Sequence, residues 1–132
     1  MTQARIDDLI SSDTHWRLGG VPDGYQPLVL ADMARLTKQR VVFIARDAGQ
    51  ASALVDMLVF FAPDVPVLEF PAWDCLPFDR LSPHGASMAK RMATLSALPH
   101  YEEQAHILVT TISAAAQRVP PRAMLENLGF VL

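Results

Sequence analysis

The pattern nearest to a known chemical motif has the spacing of a phosphate-binding loop and consists of Gly19, Gly24, Tyr25 and Gln26. A working P-loop has lysine and Ser/Thr where this chain has the tyrosine and the glutamine, because the lysine reaches the phosphates and the hydroxyl holds Mg²⁺. Pro22 and Pro27 also lack backbone N–H donors. On its own the two-glycine spacing is a weak signal, so an ordinary turn between a strand and a helix is the default interpretation of Gly19–Gln26, and we expect no cofactor and no metal bound by this chain.

The other side chains that could take part in catalysis or bind a metal do not have the spacing of a catalytic or metal site. Asp74 and Asp79 could act as paired carboxylates, but two solvated loop aspartates are the favoured interpretation. The single cysteine, Cys75, excludes an internal disulfide and a multi-cysteine zinc site. The spacing of the histidines is not that of metal ligands, so we expect surface or locally bonded side chains at His15, His84, His100 and His106. No catalytic residue is predicted.

Basic residues of the second half could gather into a strip after folding; they are Arg80, Lys90, Arg91, Arg118 and Arg122. The net charge of −3 argues against a strongly basic nucleic-acid-binding domain. Solvated arginines around an acidic domain are therefore the favoured interpretation, and a weak DNA-binding module is kept as an alternative. The candidate interaction surface comprises Trp73, Phe78, Arg80, Arg91 and Arg118.

The 132 residues are 51% hydrophobic and 19% charged, which is typical of one globular domain spanning residues 1–132. No apolar run approaches the length needed to cross a bilayer, and the charged N-terminus does not look like a signal peptide. We expect a cytoplasmic protein with no membrane partner.

The first half of the chain alternates helix and strand patterns. A helix is predicted from Pro27, and Val41–Ala45 has the length and composition of a strand buried on both faces. Asp47 and Gln50 have the spacing of a capping box for the next helix. The buried stripe of that helix is predicted to comprise Ala51, Leu54, Val55, Leu58 and Phe61. Val65–Phe70 is the next predicted strand.

The second half continues the alternation. A helix beginning near Ala86 is predicted to bury a stripe of Met88, Met92, Leu95 and Leu98, with Lys90, Arg91 and Thr94 off that face. His106–Thr110 is predicted to be a strand and Ile112–Gln117 a short helix. Alternating elements with short links favour an α/β fold: a three-layer, mostly parallel sheet with helices on both faces.

The stretch Phe70–Met92 follows the predicted strand Val65–Phe70 and runs into the next predicted helix. It contains three prolines in thirteen residues, which rule out a regular helix or a central strand through its middle. Its apolar side chains predict an ordered loop, held by Trp73, Leu76 and Phe78. Long ordered loops that follow strands often carry function.

Two runs closely resemble the N-terminal region of the bacterial transcription-repair coupling factors (Mfd). They read FPAWDCLPFDRLSPHGASMAKRMATLSALP, from Phe70, and ILVTTISAAAQRVPP, from Ile107. The resemblance extends from about Trp16 to the end of the chain and is most specific between Trp73 and Arg91. That region of the family is in turn similar to the first domain of the excision-repair subunit UvrB, a P-loop, helicase-like fold, of which this chain would be a partial domain.

The resemblance implies a role. UvrB has an intact P-loop, whereas the coupling factors carry a decayed one and keep their ATP- and Mg-dependent DNA translocase motor far downstream. The resemblance therefore implies that Gly19–Gln26 is a vestigial phosphate loop. The parts of the family that bind RNA polymerase, UvrA and DNA also lie outside this chain. The resemblance thus implies a non-catalytic scaffold or regulatory module whose partners are neighbouring domains of a longer protein. A stand-alone nucleotide-binding enzyme with an atypical phosphate loop is kept as an alternative.

Overall fold

The computed structural model describes His15, residues 17–73 and residues 85–127. The strands are β1 (Arg40–Ala45), β2 (Val67–Phe70) and β3 (His106–Thr111). The helices are α1 (Gln26–Thr37), α2 (Ala48–Phe61), α3 (Gly85–Ala97), α4 (Ile112–Ala115) and α5 (Arg122–Asn127). Two short 3-10 helices cover Asp23–Tyr25 and Leu98–Tyr101.

The three strands form one parallel sheet in the order β1-β3-β2. Ile107 in the central strand pairs with Val41 on one side and with Val67 on the other. Helices lie on both sides of this sheet, which confirms the predicted α/β class and the partial-domain size.

The core lies between one face of the sheet and the helices α1 and α2. Its fully buried members are small or branched apolar residues, among them Ala31, Ala34, Leu54, Leu58, Ile107 and Val109. The alanines of α1 let that helix approach closely, and the leucines of α2 fill the space above β3. Burial of this apolar surface is the dominant favourable term in folding.

Strand β1 departs from the prediction of burial on both faces. Val42 and Ile44 point away from the core and are 50% and 52% exposed. The register places Ile44 on the same face as Phe70 of β2, but α3 packs mainly on β2, at the opposite edge of the sheet. The half of this face at β1 is therefore uncovered among the described residues.

Two further predictions near these elements are wrong. Phe61 is exposed, because the buried row of α2 continues from Leu58 to Ala62, one turn later, and so bypasses Phe61. The second strand begins at Val67 instead of Val65, since Val65 lies in the turn after α2, where its N–H bonds Ala62 O.

The capping box at the start of α2 is confirmed in a shifted form. Asp47 Oδ1 accepts a hydrogen bond from the Gln50 N–H at 2.8 Å. Gln50 Oε1 accepts in return from the N–H of Arg46, one residue before the cap, also at 2.8 Å. The Gln50 backbone bond, followed by the Arg46 side chain, holds the pKa of Asp47 below its ordinary value.

We expect Asp47→Ala to lower the urea midpoint of unfolding, whereas Asp47→Asn retains an acceptor and should lower it less. Because the pKa of Asp47 is depressed in the folded chain, its ionised form stabilises the fold above the unfolded pKa of about 3.9. This contribution is lost as the pH falls through the folded pKa. Urea melts at neutral pH and near pH 3 should therefore show a smaller difference in midpoint between the Ala variant and wild type at the lower pH. An equal difference in midpoint at both pH values would contradict the role assigned to Asp47.

The buried face of α3 is rotated from the predicted one, and Met92 and Leu95 of the predicted stripe are half-buried. Met88 is exposed, and Arg91 and Thr94 are buried. Thr94 Oγ1 donates to the carbonyl oxygen of Glu69 at 2.6 Å, and Arg91 donates to that of Pro71. Because β2 is an edge strand, carbonyls at its end accept hydrogen bonds from side chains, so polar residues of α3 face the sheet.

Candidate functional site

The loop Gly19–Gln26, predicted to be a vestigial phosphate loop, precedes α1. Only Lys38 and Gln39 separate α1 from β1, so α1 runs antiparallel to the strands and begins at the carboxyl edge of the sheet. That edge is where parallel α/β sheets bind ligands. Residues 17–19, which precede the loop, form no regular structure.

The backbone donors of this loop are used inside a 3-10 turn. The N–H of Tyr25 bonds the carbonyl of Pro22 at 2.9 Å, and the N–H of Gln26 bonds the carbonyl of Asp23. Pro27 at the start of α1 has no N–H to offer. A phosphate group needs such N–H groups pointing at it, as well as a cation.

Side chains in the loop make it still less suited to phosphate. Gln26 Nε2 donates to Asp23 Oδ1 at 3.0 Å, so a carboxylate lies where an intact motif has a hydroxyl and a metal ion. The half-buried Tyr25 occupies the lysine position. Neither residue supplies the positive charge that phosphate binding requires.

A second polar cluster lies where β2 ends and α3 packs, and it is built around Arg91. The side chain is only 1% exposed. Nη1 donates to Pro71 O at 2.6 Å and to Gln117 Oε1 at 3.2 Å. The guanidinium carbon lies 4.1 Å from the Phe70 ring centroid and 4.7 Å from that of Trp73, within the range of cation–π contact.

The charge of Arg91 has an unusual environment. Burial lowers the pKa of this guanidinium from its ordinary value. Its Nε is buried without a hydrogen-bond partner within the described parts of the chain, and no carboxylate there forms an ion pair with it. Two aromatic faces and carbonyl oxygens therefore stabilise the cation.

Gln117 links this cluster to the segment after β3. Its Oε1 accepts the backbone N–H of Trp73 at 2.8 Å as well as the Arg91 bond. One side-chain oxygen thereby holds the first residues after β2 against the chain beyond α4. Sequence reasoning missed Gln117 and Thr94, because a lone polar residue at the end of an element carries no local signal of a partner more than 20 positions away.

The other members of the predicted interaction surface are dispersed. Trp73 is half-buried against Arg91, and Arg118 is exposed. Phe78 and Arg80 lie outside the described residues, as do Leu76 and the pair Asp74 and Asp79. The burial of Arg91 differs from the solvated position expected for it, so it contributes no accessible charge to a surface.

The described histidines fit local bonding. His106 is buried and its Nδ1 lies 2.8 Å from Gln104 O, while its ring lies 5.6 Å from that of Tyr101. His100 Nδ1 lies 3.1 Å from Ser96 O. Across the described residues, no group of three His, Cys, Asp or Glu side chains is placed to hold a metal ion.

None of the helices within residues 17–73 and 85–127 is both long enough and apolar enough to cross a bilayer.

Comparison with known proteins places the chain beside one group. It is 32% identical over 104 residues to the transcription-repair-coupling factor of Escherichia coli (strain K12), covering 79% of this chain and 9% of that protein. It is 30% identical over 118 residues to the transcription-repair-coupling factor of Haemophilus influenzae, and the match covers 89% of this chain and 10% of that protein. The corresponding Rickettsia bellii protein is 28% identical over 86 residues, 65% of this chain.

These matches confirm the resemblance to transcription-repair coupling factors. The chain spans only 8–10% of the length of these relatives. No protein-family model matches it.

Proposed function

We propose that this chain, similar to part of the transcription-repair coupling factors over most of its length, is a non-catalytic UvrB-like module of such a protein. Its role is that of a scaffold that packs against neighbouring domains of the same polypeptide. The longer protein couples removal of stalled RNA polymerase to nucleotide excision repair, and its ATP- and Mg-dependent motor and its contacts with UvrA and DNA belong to other regions.

The exposed apolar side chains on one face of β1 are the observation that carries this proposal. Val42 and Ile44 are half-exposed on a strand that has the composition of an interior one. Apolar surface of this kind on a soluble domain marks an interaction site. The matched stretch is only 8–10% of each relative's length, so neighbouring segments are available to cover it.

The absence of catalysis is supported by the loop before α1. Its Tyr25 and Gln26 N–H groups are engaged in the turn, and the side chains of these two residues replace the lysine and the hydroxyl that holds the metal ion. The acidic net charge, together with the burial of Arg91, also weighs against a DNA-binding role for this module.

Association in trans tests the scaffold role directly. The 132-residue chain is mixed with the separately produced remainder of the longer protein and followed by sedimentation velocity. We expect a stable complex, because the exposed side chains of Val42 and Ile44 would be buried in it. Failure to associate at any accessible concentration would contradict the proposal.

Nucleotide titration tests the non-catalytic role. We expect no heat of binding from Mg-ATP up to millimolar concentration, and no hydrolysis, because the contacts that hold phosphate and metal are missing. Double replacement Tyr25→Lys and Gln26→Thr should not restore binding, since Pro22 and Pro27 still lack N–H donors. Micromolar affinity of the wild-type chain in isothermal titration calorimetry would contradict this and favour the nucleotide-binding alternative.

A further inference from the structure

A second apolar surface lies at the C-terminal end of α2. Val59, Phe60 and Phe61 are 59%, 78% and 47% exposed, and we call these three residues the α2 end patch. The two phenyl rings contact each other edge to face, with centroids 4.9 Å apart. Single exposed apolar residues are ordinary, but two exposed phenyl rings in contact, with an exposed valine next to them in the sequence, resemble the centre of a protein interface.

The surroundings of the patch are acidic. No lysine or arginine occurs between Asp47 and Phe70, whereas Asp56 lies one turn before the patch and Asp64 lies three residues after it. The last turn of α2 contains no basic residue, so the partial negative charge of the helix C-terminus is not neutralised from within the helix.

Asp56 and Asp64 form an acidic rim around the patch. A cation from another helix reaches this rim, but it is already bound to carboxylates. Arg35 of α1 donates to both oxygens of Asp64, at 2.9 and 2.6 Å, and to Asp32 at 3.1 Å. Its hydrogen bonds hold the pKa of Asp64 below the ordinary value. One arginine is shared by two carboxylates, so it does not offset the charge of both.

We propose that the α2 end patch docks a segment elsewhere in the same longer protein that presents apolar side chains ringed by lysine or arginine. This inference rests on the proposed scaffold role and names the surface and the chemistry of the contact. The acidic rim selects a basic partner by charge complementarity. The match covers only 8–10% of each relative, so most of the longer protein lies outside this chain. Segments of the same polypeptide are held near the patch at high effective concentration, which favours them as its partner.

The decisive variant is Phe60→Asp in the association experiment with the remainder of the protein. Phe60 is the most exposed of the three, so its replacement leaves the core intact, which circular dichroism and a urea melt of the variant verify. We expect the dissociation constant to rise at least about tenfold, the effect of losing an interface hot spot. Ser52→Asp is the matched control, because it places the same charge on an exposed position of the same helix, outside the patch.

The charge of the rim is tested separately. Asp56→Lys should weaken the complex about two- to threefold, and raising the salt concentration should weaken the wild-type complex in the same direction, since exposed charges contribute modestly and are screened. A complex strengthened by Asp56→Lys would show that the partner is not basic and would overturn the proposal.

The outcomes separate the two levels of inference. If the wild-type chain does not associate, the scaffold role itself fails. If it associates and Phe60→Asp binds as tightly as Ser52→Asp, the scaffold role survives and the docking assignment is overturned. If the isolated chain self-associates through Phe60, as judged by loss of dimer in Phe60→Asp, the occupant is a second copy and the proposal is likewise overturned.

Discussion

Replacing Arg91 with alanine is expected to lower the free energy of unfolding by about 3–5 kcal/mol. The side chain is buried and forms two hydrogen bonds, each of which is worth about 1.5–3 kcal/mol when the donor is charged. The variant also loses the contacts with the Phe70 and Trp73 rings and leaves Pro71 O without this donor. Equilibrium urea unfolding followed by tryptophan fluorescence and by circular dichroism measures the change.

Lys90→Ala is the matched control for this variant. Lys90 is the preceding residue of the same helix, but its ammonium is exposed and pairs with Glu69 at 2.6 Å. An exposed pair of this kind contributes about 0–1 kcal/mol. If both variants lose the same small amount, Arg91 is not the anchor of the β2 end. Arg91→Lys should also lose stability, because an ammonium cannot reproduce the planar stacking between the rings.

The second large effect is expected at Leu58, where truncation to alanine should cost about 2–5 kcal/mol. The side chain is fully buried between α2 and the sheet, and it belongs to the same cluster as Leu54, Ile107 and Val109. Its removal loses apolar contact and leaves a cavity that the packed helices can close only in part. Urea unfolding of the variant, analysed with the wild-type dependence of the free energy of unfolding on urea concentration, measures the loss of stability.

Phe60→Ala, two positions further along α2, is the control. Its ring is mostly exposed in this chain, so we expect a change within about ±0.5 kcal/mol. Equal losses at Leu58 and Phe60 would mean that the buried face of α2 is misassigned, and the α2 end patch would then be part of a core. The contrast therefore also tests the surface on which the docking proposal depends.

The sequence alone predicts the elements with strong local signals. The apolar run at Val41–Ala45 lies within β1, and His106–Thr110 lies within β3. Asp47 caps α2 as its spacing with Gln50 predicts, since a cap depends on residues three positions apart. The alternation of strand and helix patterns along the chain was sufficient to predict the α/β class.

The candidate site was only partly accessible to such reasoning. The missing lysine and hydroxyl of the phosphate loop can be read directly at Tyr25 and Gln26. The engagement of their N–H groups in a 3-10 turn, and the approach of Asp23 to Gln26, became visible only in the structure.

The faces of the helices and strands depended on tertiary structure. A hydrophobic stripe predicts Met88 inside α3 and Arg91 outside, and the structure has the reverse. The carbonyl of Pro71, just past the edge strand β2, accepts a charged donor, and two aromatic rings from distant positions make burial of that donor tolerable. Likewise, an apolar strand such as β1 signals burial on both faces, but which face a helix covers depends on strand order, and β1 lies at the edge opposite α3. Periodicity records how apolar a residue is, whereas burial is determined by which backbone groups and neighbours the fold brings to it.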